Sequence, residues 1–318
     1  MFKPLSTTQP AVPSQPRSDA ADRSESWLAE FDDYMLNERG LSIATRRGRR
    51  SVISRFLSKM VAAGDSLTCL TIRDVDAFLQ SLGEQQGGYS RASLQMVASC
   101  LRPFFRYGAT RGWCSTGLAE AIKSPRVYSL DSVPIGPSWG EVKRLLALTE
   151  GRKPTDIRAR AILMLLAIYG LRAGEVKQLR LDDFDWNREL LSVSHSKSRR
   201  TRMFPLSRSV GDAVLLYIRQ VRPRTRHREV FLTLDGRPLK DIYMIVSPRL
   251  RRLQTDIPHH GPHALRHACA THLLAEGCSL KQIGDQLGHQ DADSTRIYAK
   301  VDISGLRKVG DVDLGGLL

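Results

Sequence analysis

The amino-acid sequence predicts a mainly α protein with a small β-sheet, an α+β chain in which an N-terminal helical unit precedes a C-terminal mixed α/β unit. Three observations predict it. Apolar residues recur at helical spacing over most of the chain. Two short runs, Leu190 to Ser194 and Arg202 to Leu206, flank a single basic turn and read as a hairpin. The stretch from Ser124 to Pro137 carries three prolines and divides the pattern in two. With 318 residues, each unit is long enough to bury a core of its own.

Residues 1–23 are rich in Pro, Ser, Thr, Gln and Asp, with few large apolar groups to offset chain entropy, and read as a disordered tail. The helical unit spans 24–115. Trp27, Leu28, Phe31, Met35 and Leu36, then Val52, Ile53, Phe56, Leu57 and Met60, mark two helices on either side of the Gly40-Leu41-Ser42 break. Thr71 caps a third helix that turns Val75, Phe78, Leu79 and Leu82 inward. Ser90 caps a fourth, running through Leu94, Val97, Leu101, Phe104, Phe105 and Tyr107. Residues 116–137 form the linker, and 138–318 the second unit. There Ser138 caps a helix from Trp139 to Leu148, and the segment from Asp156 to Tyr169 is so evenly apolar that it must be a central helix. A short helix from Ala173 to Leu179 precedes the hairpin, and Val230 to Leu232 read as a third strand. Helices follow at Arg208 to Arg219, Leu239 to Gln254, Pro262 to Glu276, Leu280 to Leu287 and Ala292 to Lys300. No internal repeat of solenoid type is present.

The formal net charge is +15. Its arginine-dense runs, Arg46 to Arg50, Lys197 to Arg202 and Arg222 to Arg228, recur along the chain, which suits a protein that surrounds a polyanion such as DNA. The five cysteines are odd in number and lack paired spacing, which argues against a disulfide framework and for a reducing compartment. The longest apolar run, Ala161 to Tyr169, falls well short of the ~20 residues of a membrane span. A soluble, cytoplasmic protein without a membrane partner is expected.

Six residues are candidates for chemistry. Arg172 follows Gly170 and opens a short helix, and Glu175 is placed to orient its guanidinium, which can give a phosphate two parallel hydrogen bonds. Lys197 lies on the turn of the hairpin; it can release a proton where its neighbours Arg199 and Arg200 cannot. His263 and Arg266, three apart after Pro262, share one helix face. His289 follows Leu287-Gly288, and Tyr298 stands in Ile297-Tyr298-Ala299. Each alone has a bland alternative: a surface arginine, a loop histidine, a core tyrosine. His259, His260, His263, His267, Cys269, His272 and Cys278 also crowd one segment, but there is neither an HExxH glutamate nor a paired-cysteine knuckle, and Arg266 sets a permanent positive charge among them, so zinc is not the expected reading.

Taken in order, Tyr-Gly-Leu-Arg-Ala-Gly-Glu (169–175), His-Ala-Leu-Arg-His (263–267), Leu-Gly-His (287–289) and Ser-Thr-Arg-Ile-Tyr (294–298) resemble the tyrosine recombinase, or phage integrase, family from about Ser24 to about Val309. In the hairpin, Ser196 and Ser198 stand where the family has the glycines that flank its lysine, which Lys197 matches. The resemblance implies that residues 24–115 are a SAM-like core-binding domain, which with the second unit clamps the duplex. It also makes 138–318 the catalytic domain. Tyr298 would attack a DNA phosphate while Arg172, Arg266 and His289 stabilise the transition state, His263 takes or shares the tyrosine proton and Lys197 protonates the leaving 5′ oxygen. A 3′-phosphotyrosyl link and a Holliday junction follow, with no cofactor, metal or ATP required. Four protomers on two double-stranded core sites are implied, with or without a second recombinase or accessory protein. The tail bearing Val301, Ile303, Leu306 and Val309 would pack into a neighbouring protomer. Within the family the chain reads as Xer-like, on the mobile-element side. Two other readings stay open: a non-catalytic DNA-binding regulator, suggested by the helix-turn-helix look of Ser279 to His289, and a type IB topoisomerase-like enzyme, which strand exchange between duplexes would separate from a recombinase.

Overall fold

Several helices in this chain start at a capping serine, and apolar faces set how the helices pack. The structure, a computed structural model, describes residues 16–62, 67–84, 87–126, 135–194, 201–289, 291 and 293–301. The chain divides into two units, residues 1–128 and 129–318.

The first unit holds α1 (Pro16–Asn37), α2 (Ile43–Ala62), α3 (Ile72–Glu84), α4 (Arg91–Thr110) and α5 (Leu118–Ala121). At the start of α3 the Thr71 N–H and hydroxyl donate to Asp74, at 2.8 and 2.6 Å. Ser90 caps α4 by accepting from the Ser93 N–H at 3.2 Å. The core is aromatic: Phe31 meets Phe104 edge-on at 5.4 Å, and Phe56 meets Phe78 and Phe105 at 5.1 and 5.4 Å.

Two boundaries differ from the sequence reading. Residues 16–23, expected within a disordered tail, form the first turns of α1. Proline is tolerated in a first helical turn, and a polar segment without a core of its own extends readily from a helix that is already packed. Within the expected linker, Leu118, Ala119 and Ile122 are buried in the first core, reached through Gly117, whose φ of +84° turns the chain. A four-residue helix is too short to show a period. Residues 1–15 and 127–134 lie outside the described residues.

The second unit opens with α6 (Trp139–Ala147), whose Ser138 and Glu141 form a reciprocal capping box. The central α7 (Pro154–Ile168) buries every residue from Ala161 to Ala167, as its unbroken hydrophobicity requires. After α8 (Ala173–Gln178) comes an antiparallel sheet of β1 (Phe184–Asp185), β2 (Leu190–Ser194) and β3 (Thr201–Pro205), in that spatial order. Leu191 faces Phe204, and Ser194 pairs with Thr201 at the base of the connection 195–200.

The expected third strand at Val230 to Leu232 is not one. These residues are fully buried, but only isolated bridges flank them, Arg180 with Glu229 and Leu232 with Pro238. The Leu232 N–H is satisfied by the Tyr217 hydroxyl at 3.0 Å, a side chain standing in for a strand partner. The third strand is β1, two residues long and too short to alternate visibly.

The rest is helical: α9 (Arg208–Gln220), α10 (Tyr243–Arg251), α11 (Pro262–Ala275), α12 (Leu280–Leu287) and α13 (Asp293–Arg296). Helix α10 is shorter than expected at both ends, and Asp241 accepts from the Tyr243 N–H at 2.9 Å where it starts. The expected last helix is α13 continued as a 3-10 turn, Ile297–Val301. All five cysteines are free thiols. Among the described residues no helix is long and apolar enough to cross a membrane.

Candidate active site

The C-terminal end of α12 organises the site. Ser279 caps the start of this helix, and Gly288 ends it in the left-handed conformation, φ +65°. Its last carbonyls point towards three guanidinium groups from three other elements. Arg202 Nη1 donates to Gln286 O at 2.7 Å, Arg266 Nη2 to Leu287 O at 2.8 Å, and Arg172 Nη2 to Gly288 O at 3.1 Å. Consecutive carbonyls thus each hold a different arginine. The helix dipole places partial negative charge at this end, which helps keep three like charges together.

Arg172 reaches this point from the turn between α7 and α8. The turn needs Gly170: its φ is +61°, and a Cβ there would lie 2.4 Å from Leu287 Cδ2 and 3.2 Å from Cys269 Sγ. Glu175 accepts from the Arg172 N–H at 2.8 Å and from Nη1 at 3.0 Å, so the acidic residue three positions on does orient the guanidinium. Burial opposes the Glu175 carboxylate, but the Arg172 N–H and the guanidinium groups of Arg202 and Arg172 outweigh it and hold its pKa below the usual range. Arg266 projects from α11 and is 2% exposed. Its Nη1 donates to Gly170 O at 2.6 Å, tying α11 to the Arg172 turn. Burial and the neighbouring Arg172 lower its pKa to about 10, which leaves it charged at neutral pH.

The imidazoles lie around this cluster. His289 Nδ1 is 2.6 Å from the Thr295 hydroxyl. Burial, reinforced by Arg266 and Arg172, lowers its pKa to about 4. His263 is lowered by burial and then by Arg266 and Arg172. Tyr298 is 1% exposed and packs with Ala270, Leu274, Ile283 and Leu287. Burial pushes its phenol up to about 12. Its hydrogen bond goes to His267 Nδ1, at 2.9 Å, not to His263, whose ring meets His267 edge-on at 4.6 Å. His267 is itself lowered to about 4, by burial and then by His263 and Arg266. The phenol is therefore protonated, shielded and held by a neutral imidazole.

Five of the six expected residues, Arg172, His263, Arg266, His289 and Tyr298, belong to this one neighbourhood, linked by α11 and the end of α12. Lys197 lies outside the described residues. Sequence reasoning missed His267, weighed only as a metal ligand, although its i, i+4 spacing from His263 already placed both on one face. It also missed Thr295 and Arg202, for which no local signal exists. The crowded histidines and cysteines of α11 disperse: His272 stacks on Trp139 at 3.9 Å, and Cys269 points at Ile168 O, 3.5 Å away. Among the described residues no three His, Cys, Asp or Glu side chains converge as a metal-binding group.

Comparison with known proteins decides the family. Residues 139–304 match the model of the phage integrase family, and residues 28–112 that of its N-terminal SAM-like domain. The chain belongs to the phage integrase family. The recombinase is 33% identical over 290 residues to the tyrosine recombinase XerA of Thermococcus kodakarensis, covering 88% of this chain and 93% of the relative. It is 32% identical over 290 residues to XerC of Alcanivorax borkumensis, covering 88% and 91%. Among solved structures, XerH bound to its difH substrate in a pre-cleavage complex shares the fold with a TM-score of 0.68 at 18% identity, covering 92% of this chain and 96% of the other. A lambda integrase tetramer bound to a Holliday junction matches with 0.62 at 19% identity, covering 84% and 77%. The recombinase is a site-specific DNA recombination enzyme, and neither the regulator nor the topoisomerase reading is favoured.

Proposed function

We propose that this recombinase cuts and rejoins DNA with Tyr298 as nucleophile and with Arg172, Arg266 and His289 as the transition-state donors. One observation carries the reading: Arg172 and Arg266, 94 residues apart in sequence, donate to adjacent carbonyls of one helix end. Two guanidinium groups fixed side by side form a preorganised clamp for the non-bridging oxygens of a phosphodiester.

In the reaction the Tyr298 oxygen bonds to phosphorus while the bond to the 5′ oxygen breaks. The phenolic proton passes to the imidazole pair, of which His267 is in contact and His263 adjoins it, and Lys197 supplies a proton to the leaving 5′ oxygen. The 3′-phosphotyrosyl link conserves the energy of the phosphodiester, so the 5′ hydroxyl of a second duplex can reverse the step without ATP. Buried as they are, the phenol is a poor nucleophile and the imidazoles are poor bases. A bound phosphate adds the negative charge that the arginines lack and raises the histidine pKa values towards neutrality. Double-stranded DNA as the partner, and four protomers on two sites passing through a Holliday junction, are supported by the fold shared with the DNA-bound integrase tetramer. The exchange tail from residue 302 onward lies outside the described residues.

The test is to express wild type and Tyr298→Phe in cells carrying the native DNA, denature the lysates, and sequence the DNA that remains attached to protein. Attachment in wild type alone identifies the nucleophile, the cleavage site and, from the flanking DNA, whether the site is chromosomal or on a mobile element. Equal attachment in the two overturns the assignment of Tyr298.

A further inference from the structure

Between the hairpin and the Arg172–Arg266 pair lies a third guanidinium. Arg202 is the second residue of β3, directly after the 195–200 connection that carries Lys197. Its side chain is 17% exposed, with the guanidinium over the Phe204 ring at 5.2 Å. One arm, Nη2, donates to Glu175 Oε1 at 2.9 Å; the other, Nη1, donates to Gln286 O at 2.7 Å. The same Glu175 oxygen accepts from Arg172 Nη1 at 3.0 Å, so a single buried carboxylate oxygen joins the two arginines. The end of α12 is also shaped around Arg202: a Cβ at Gly288 would lie 2.7 Å from Arg202 Nε, and a side chain tethered at both tips has little room to yield.

We propose that Arg202 is a positioning residue for strand cleavage. It fixes the guanidinium of Arg172 through the shared Glu175 carboxylate and holds the α12 carbonyls on which Arg172 and Arg266 rest. From β3 it also anchors the base of the connection that bears Lys197. A planar fork can satisfy the carboxylate and the carbonyl together, whereas a lysine ammonium at this distance reaches only one. Without Arg202, Glu175 Oε1 keeps one partner, Gln286 O loses this donor, and β3 is released from the helix carrying the clamp's footing. A misplacement of about 1 Å at such a site costs on the order of 100-fold in rate. The inference rests on the reading of Arg172 and Arg266 as the phosphate clamp.

Chemistry separates a positioning role from a merely structural one. Full-length wild type, Arg202→Met, Arg202→Lys and Arg172→Met are compared in single-turnover covalent attachment to a nicked duplex carrying the cleavage site found by capture. The scissile group is either the ordinary phosphate or a methylphosphonate. Replacing one charged oxygen by methyl lowers the demand for guanidinium donors, so a defect that acts through the clamp shrinks on the neutral substrate. Arg202→Met is expected to attach roughly 10- to 100-fold more slowly than wild type on the phosphate, and to recover much of that loss on the methylphosphonate, in parallel with Arg172→Met. Arg202→Lys, which keeps the charge and guards against a Met variant that does not fold, is expected to show the same substrate dependence with a smaller loss. Equal loss on both substrates, or attachment as fast as wild type, overturns the proposal. If Arg172→Met itself shows no loss on the phosphate, it is the clamp reading that fails.

Discussion

The two units of this chain solve opposite problems with the same twenty side chains. The first is held by rings: Phe31, Phe56, Phe78, Phe104 and Phe105 interlock at 5.1 to 5.6 Å; of its ion pairs, Arg46–Asp32 is half-buried, while Arg50–Glu25, Arg106–Glu120 and Arg111–Glu30 stay nearer the surface, where each contributes little. The second sinks Arg266 and Glu175 below the surface and lays imidazoles and a phenol against them. Buried charge is destabilising unless every donor finds an acceptor, and here most acceptors are backbone carbonyls. The first unit's interior is therefore tuned for stability and the second's for holding charge.

Three variants test that division, beginning with the largest effect. Tyr298→Phe abolishes covalent attachment altogether, yet costs only about 1 kcal/mol of stability, because one hydrogen bond to His267 is lost while the ring still packs. Arg266→Met slows attachment by about 100- to 1,000-fold and lowers stability by about 1–3 kcal/mol, since Gly170 O and Leu287 O lose a donor while a desolvated charge disappears. Phe104→Ala reverses the pattern: a fully buried ring is removed from the aromatic core, and chemical denaturation should read a loss of about 3–5 kcal/mol. If Arg266→Met proves the more destabilising of the two, the contrast between the units collapses.

The smallest effect is in pH. All eight histidines lie between residues 195 and 289, none in the first unit. His267 and His289, ordinarily near 6.5, are lowered to about 4, both first by burial, then His267 by His263 and Arg266 and His289 by Arg266 and Arg172. A histidine that stays neutral when folded but takes a proton when unfolded contributes stability that is complete above about pH 6.5 and lost as the pH falls towards 4. The melting temperature should drop between pH 7 and pH 5, less steeply in His267→Gln and His289→Gln, while Phe104→Ala, lower at every pH, keeps the wild-type slope. Bound DNA should flatten the slope. A slope unchanged in both histidine variants would place the acid sensitivity elsewhere.

The same contrast explains what could be read before the structure. In the first unit Val75, Phe78, Leu79 and Leu82 announce α3 by spacing alone, and Ser90 announces the start of α4, because helices and caps are encoded within a few residues. Five candidate site residues are picked out by ordered motifs, Tyr298 among them, although as an isolated tyrosine it is indistinguishable from a core ring. Those motifs say nothing of partners distant in sequence. Arg202 looks like one more basic residue of a hairpin until Glu175 and Gln286 are beside it, and His267 like a metal ligand until Tyr298 is. The exchange of strands, β1 for Val230 to Leu232, has the same origin: the Tyr217 hydroxyl that satisfies Leu232 is fifteen residues away and leaves no mark on the local pattern.

The choice of carbonyls at the end of α12 has a consequence for ionic strength. A carbonyl satisfies the hydrogen-bonding demand of a guanidinium without cancelling its charge. Among the described residues Glu175 is the one carboxylate paired with Arg172 and Arg202, so with Arg266 the cluster keeps a net excess of two positive charges that the carbonyls leave in place. Added salt will weaken the encounter between the basic surface and DNA, since that attraction acts through screened solvent. It will leave the step that follows, from a phosphate already seated against Arg172 and Arg266, nearly as fast as before.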